Sequence, residues 1–115
     1  MKLLSQYYIG MKVQGRDMSD SIIPFNKFDH GKRRWRLLPF GIIEDVVDVF
    51  DQGATKYGID NWQRCDDWDR YFDAMMRHIM AWRQGEKCDP ETHKHHLIHA
   101  ICCAIFLVWK DQSYE

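Results

Sequence analysis

The segment Asp89-Pro90-Glu91-Thr92-His93-Lys94-His95-His96-Leu97-Ile98-His99-Ala100 holds four of the chain's six histidines and two carboxylates, directly before the apolar run Ile101 to Trp109. Imidazole titrates near neutrality and is the commonest metal ligand, so the segment is suited to metal binding or proton transfer. On a helix His96 and His99 stand three apart and His95 and His99 four apart, and either pair can hold one ion from one side. A second set of candidates is Glu44-Asp45-Val46-Val47-Asp48, where Asp45 and Asp48 lie on one side of a helix and can converge on a cation. Joined to His96 and His99 across a bundle, they would form a mixed carboxylate–imidazole site.

Plainer readings stand beside these. Acids on a helix flank are commonly a solvated face. His99 reads equally as a hydrogen-bonded core histidine, and His93 and His95 as exposed. Asp89 and Glu91 suit a helix start, where the helix dipole favours negative charge. Cys102 and Cys103 follow His99 at ligand spacing but read as packing thiols in an apolar run. Arg77 could clamp a phosphate and the adjacent His78 orient a ligand or a water. Lys56 and the cluster Lys32-Arg33-Arg34-Trp35-Arg36 are further phosphate candidates. Trp62 and Trp35 offer flat faces for a base, or are simply core.

Three helices must position these groups. The first is expected from Pro39 to near Gly53, with an apolar stripe of Ile42, Ile43, Val46, Val47, Val49 and Phe50. The second is expected to begin after Asp66 or Asp67, either of which can cap it, and to end at Gly85; Trp68, Phe72, Met75, Ile79 and Trp82 recur along it at helical spacing. The third begins around Asp89-Pro90, or a few residues later, and runs to about Lys110. It is apolar nearly all round, as a central helix would be. Ala54 to Cys65 reads as a structured loop, and Tyr7 to Gly15 as a short extended segment between glycines. The class is all-α.

Composition narrows the function. The chain of 115 residues has room for one domain and a limited core, so self-association is expected. A net charge of −1 provides no positive field for general nucleic-acid binding. No run reaches the length of a membrane span and no signal-peptide pattern opens the chain. The four cysteines, two of them adjacent in an apolar stretch, fit reduced thiols in a cytosol rather than a disulfide framework.

From about Lys27 to Lys110, about three quarters of the chain, the order of motifs resembles the small phage family of dATP/dGTP diphosphohydrolases, relatives of MazG-type nucleotide pyrophosphohydrolases. The matching pieces are Phe28-Asp29-x-Gly31-Lys32 with Leu37-Leu38-Pro39, then Gly53-Ala54-x-Lys56-Tyr57-Gly58 with Asn61-Trp62. They continue with Arg77-His78, Ala81-Trp82, Gly85-Glu86, Asp89-Pro90-Glu91 and His96-Leu97-x-His99-Ala100. The resemblance implies a MazG-like helical bundle over residues 27–115, completed by a homodimer or tetramer, with residues 1–26 as an extension. It implies hydrolysis of dATP and dGTP to monophosphate and pyrophosphate, remodelling the nucleotide pool of a phage-infected bacterial cytoplasm.

Under this resemblance Asp45 and Asp48, with Glu44, are metal ligands, and His96 and His99 are ligands or acid–base groups beside His78. Lys32, Arg34, Lys56, Asn61, Trp62, Arg77, Asp89 and Glu91 face the substrate. The implied ion is Mg2+ or Mn2+. The second carboxylate pair of MazG-type enzymes is absent, however, and His96-x-x-His99 stands at the comparable place, which suits a transition metal better than magnesium. Arg36 also departs from the small or acidic residue common there. A rival reading is a non-catalytic nucleotide-binding protein that keeps the pocket without the chemistry.

Overall fold

The computed structural model describes residues 23–113. The expected extended segment Tyr7 to Gly15 lies outside them. The chain divides into two units, Met1–Arg34 and Trp35–Glu115. In the described part of the first unit, a tight turn closes through Lys32 N–H to Asp29 O at 3.0 Å, with Gly31 at φ 82° where a side chain would be strained.

The second unit is all-α: α1 (Phe40–Tyr57), α2 (Asp69–Arg83) and α3 (His96–Ser113), with single 3-10 turns at Trp35–Leu37 and Asn61–Arg64. Among the described residues there is no strand, only one isolated bridge between Cys88 and His95. Both α1 and α2 pack on α3, which is therefore the central helix its composition predicts. The buried centre is small: Val46 of α1 meets Ile98 and Cys102 of α3, with Val49, Phe50 and Phe106 against them. An aromatic cluster extends it, with Trp62 stacked on Phe106 at 4.6 Å and set edge-on to Trp109 at 5.0 Å.

Helix α1 runs a full turn past Gly53. That glycine is mid-helix, and the chain stops only at Gly58, whose φ of 104° ends the helix while its N–H bonds to Ala54 O at 2.9 Å. Residues 54–57, expected in a loop, are therefore helical. Of the expected stripe, Val46 is buried and Ile43, Val49 and Phe50 are half-buried, whereas Ile42 and Val47 stay exposed.

Ahead of helix α2, one residue before its N-cap Trp68, Asp67 Oδ1 accepts from Asp69 N–H at 3.2 Å. It ends in a Schellman turn: Gly85 N–H bonds to Trp82 O and Glu86 N–H to Ala81 O, both at 3.0 Å, with Gly85 at φ 105°. The half-buried face of α2 follows Tyr71, Ala74, Met75, His78 and Ile79, so His78 points inward with its apolar neighbours.

Helix α3 begins at His96, the later of the two expected starts, a few residues past Asp89-Pro90. His95 caps it, its Nδ1 accepting from Leu97 N–H at 3.0 Å. The residues before it are spent on a closed loop, stitched by Asp89 N–H to Lys94 O and His93 N–H to Asp89 O, both 2.8 Å, and by His96 N–H to Lys87 O at 2.9 Å. His93 takes a left-handed conformation there, at φ 62°.

Candidate functional site

Three side chains meet where the end of α2, the loop before α3 and the first turn of α3 come together. Nitrogen or oxygen donor atoms of His78, Asp89 and His96 all lie within 4.8 Å of one another. His96 is the best held. Its ring is buried, its Nε2 hydrogen-bonds Glu86 Oε1 at 2.6 Å, and its Nδ1 faces the Nδ1 of His78 at 2.8 Å. Glu86 reaches His96 because the Schellman turn sets it immediately past the end of α2. Asp89 is fixed by its own loop: Oδ1 accepts from Glu91 N–H at 2.8 Å and Thr92 N–H at 3.1 Å, while Oδ2 lies 4.0 Å from His78 Nδ1.

His99, one turn along α3, stacks on His78 with ring centroids 4.5 Å apart and an interplanar angle of 10°. Its Nε2 pairs with the Thr92 hydroxyl at 2.6 Å. Burial holds both His78 and His99 below the ordinary imidazole value, and the neighbouring imidazoles push in the same direction. For Asp89 burial works to raise the carboxyl, but the N–H groups of Thr92 and Glu91 outweigh it and hold the group below its usual value. His78 and His99 are thus held towards the uncharged ring and Asp89 towards the ionised carboxylate, the protonation states a metal requires of such ligands.

The donor set fits a divalent transition metal. His78 Nδ1 lies 2.8 Å from His96 Nδ1 and 4.0 Å from Asp89 Oδ2, so these three residues could hold one ion. A ligating histidine usually donates its other ring N–H to a carboxylate, and Glu86 stands in that place for His96. Two nitrogens and one oxygen suit manganese, iron, cobalt or zinc better than magnesium, which prefers oxygen.

The expected carboxylate pair is engaged differently. Asp45 and Asp48 do share one side of α1, but the cation between them is the ammonium of Lys94, 3.2 Å from Asp45 Oδ1 and 2.7 Å from Asp48 Oδ2. Those hydrogen bonds raise the Lys94 ammonium above its ordinary value, so it stays charged. Neither acid belongs to the three-residue donor cluster, nor does His99, and Glu44 is exposed.

The expected substrate groups are distributed as follows. Lys32 and Arg34 are exposed in the first unit. Lys56 pairs with Glu91 at 3.3 Å, both largely exposed. Asn61 and Arg77 line one cleft of about 680 Å³, together with Arg64 and Arg70. Trp62 has Phe106 against one face and lines a second, mostly apolar hollow of about 430 Å³. Sequence reasoning did not single out Lys94, Thr92, Arg64 or Arg70 for a role, nor give Glu86 one. The one usable signal was for Glu86, an acid placed directly after a helix-ending glycine.

The architecture is that of an all-α domain with a histidine–carboxylate cluster at the head of its central helix. Over residues 24–115 the chain matches the family described as dATP/dGTP diphosphohydrolase, N-terminal, and it belongs to that family. It is similar to a dATP/dGTP diphosphohydrolase of Salmonella phage PMBT28, with 36% identity over 83 residues. The match covers 72% of this chain, which spans 28% of that relative's length. No solved structure matches the chain significantly.

Proposed function

We propose that the protein hydrolyses dATP and dGTP to the monophosphate and pyrophosphate, with a divalent metal held by His78, His96 and Asp89. Family membership and the name of the phage relative support the substrate class. The observation that carries the reading is the cluster itself: two imidazoles and a carboxylate within 4.8 Å, one ring backed by Glu86. A divalent ion there supplies charge neutralisation for the phosphates and lowers the pKa of an attacking water. The chain's own groups do the rest. Glu86 orients His96, the Asp89 loop presents one carboxylate oxygen, and neutral His99, set by Thr92, can take up a proton. Asp45 and Asp48 fix Lys94, whose ammonium offers a contact to phosphate.

Each dNTP is incubated with magnesium, manganese, cobalt or zinc, and products are separated by chromatography. Release of pyrophosphate, strongest with a transition metal, is expected. Tight nucleotide binding without product would replace the hydrolase by a nucleotide-sequestering protein. His96→Ala should lose both bound metal and turnover while Asp45→Ala keeps its metal; the reverse pattern would move the metal to α1.

A homodimer or tetramer completes this reading. Phe72, Met76 and Met80 recur at helical spacing on α2, as do Ile101, Ile105 and Val108 on α3, and all six are more than a third exposed. Light scattering showing a concentration-independent monomer would remove this part. No helix among the described residues is long and apolar enough to cross a membrane. We place the activity in the cytoplasm of a phage-infected bacterium, where it would alter the deoxynucleotide pool.

A further inference from the structure

The cleft lined by Asn61 and Arg77 contains more positive charge than the sequence motifs indicated. Arg64 projects into it from the 3-10 turn Asn61–Arg64, and Arg70 and Arg77 from α2, seven residues apart and so on one side of that helix. Asp66 and Asp73 also line it, yet among the described residues none of the three guanidinium groups is in an ion pair. Three arginines without an ion-pair partner among the described residues, around one cavity of about 680 Å³, suit an anion with several oxygens.

Tyr57, Asn61 and Tyr71 line both this cleft and the apolar hollow of Phe50, Trp62 and Phe106. Burial raises the Tyr71 hydroxyl above its ordinary value, so it remains a neutral donor. A ligand with an anionic chain at one end and a flat apolar body at the other fits the two together. Arg77 is also joined directly to His78, so the cleft lies along the same helix as the metal-type cluster.

Resting on the nucleotide reading above, we propose that Arg64, Arg70 and Arg77 form the subsite that binds the substrate's polyphosphate chain. Guanidinium forks match phosphate oxygens in pairs, which holds a triphosphate in register and not merely near the protein. Arg64 and Arg70 thereby become specificity residues for the number of phosphates.

The test uses the whole chain, stripped of metal with EDTA, and inorganic tripolyphosphate as the probe in titration calorimetry. Arg64→Gln and Arg70→Gln should each weaken tripolyphosphate by about tenfold or more. Arg→Lys at either position should recover part of the loss, and circular dichroism should show unchanged helices, since both side chains are exposed. His96→Ala should leave this binding intact. Unchanged tripolyphosphate affinity in the two Gln variants overturns the subsite even if dNTP turnover is found. Arginine-dependent binding without turnover of any dNTP supports the subsite while the hydrolase reading fails. Tighter binding of a single-stranded DNA oligonucleotide than of tripolyphosphate, lost in the same variants, also overturns it.

Discussion

His78 and His96 approach each other Nδ1 to Nδ1 at 2.8 Å, from the end of one helix and the start of the next. Ring nitrogens this close, with Asp89 beside them, could be held by one ion. His96→Ala or His78→Ala should therefore abolish stoichiometric manganese or cobalt binding while the far-ultraviolet spectrum stays helical. Glu86→Gln, which only weakens the backing of His96, should reduce metal affinity by about 10- to 100-fold. Equal metal binding in all three proteins would place the ion elsewhere.

Lys94 keeps the Asp45–Asp48 pair supplied with a positive charge from the protein itself. Replacing it with methionine leaves two carboxylates three residues apart on α1 without a partner. Lys94→Met should then bind a second, weaker equivalent of Mn2+, countable by electron paramagnetic resonance, against one in the parent chain. A stoichiometry that stays at one would show that Lys94 does not exclude cations from that face.

The sign of the pH response follows from the two depressed histidines. His78 and His99 resist protonation when folded, mainly through burial, whereas in the unfolded chain they titrate near 6.5. The unfolded state therefore binds more protons below that pH, and stability rises with pH through the window under 6.5. Metal-free protein should show a full melting temperature above pH 6.5 and a falling one from there towards pH 5. His99→Gln should flatten the decline, and a profile as steep as the parent's would remove His99 as a cause.

Two packing variants test the fold. Ile98→Ala deletes part of the buried contact with Val46 and should cost about 2–5 kcal/mol, towards the lower end because so small a core can relax. Gly85→Ala meets no steric neighbour but forces a side chain into φ 105°. It should cost about 1–3 kcal/mol and, by moving Glu86, weaken metal binding as well. Chemical denaturation measures the first effect, and a metal titration of folded Gly85→Ala the second.

The helices were legible because α1 and α2 repeat their apolar residues with a clear period and α3 is apolar almost throughout. Their ends were less so. Gly53 looks like a stop, but the helix runs through it to Gly58 at positive φ, and Asp89-Pro90 looks like a start but is diverted into a side-chain-capped loop. In the site, His96 was recognisable from its type and place, and Arg77 and His78 from their position on α2. That His78 rather than His99 adjoins His96 at Nδ1 depends on how α2 crosses α3, which residue order does not encode. Lys94 was hidden for a different reason: a lysine in a polar run reads as solvated, and only the fold brings it to Asp45 and Asp48.

The stitched loop before α3 also bears on how the protein tolerates change. Asp89, Glu91, Thr92, Lys94, His95 and His96 each have a distinct partner, and the bridge between Cys88 and His95 fixes the span between them. A codon inserted or deleted there would misplace every one of those groups together, whereas a length change in the turn between α1 and α2 would leave them in register. Apart from His78 on α2, the groups of the cluster are thus set by one short coding segment, in which length matters as much as residue type.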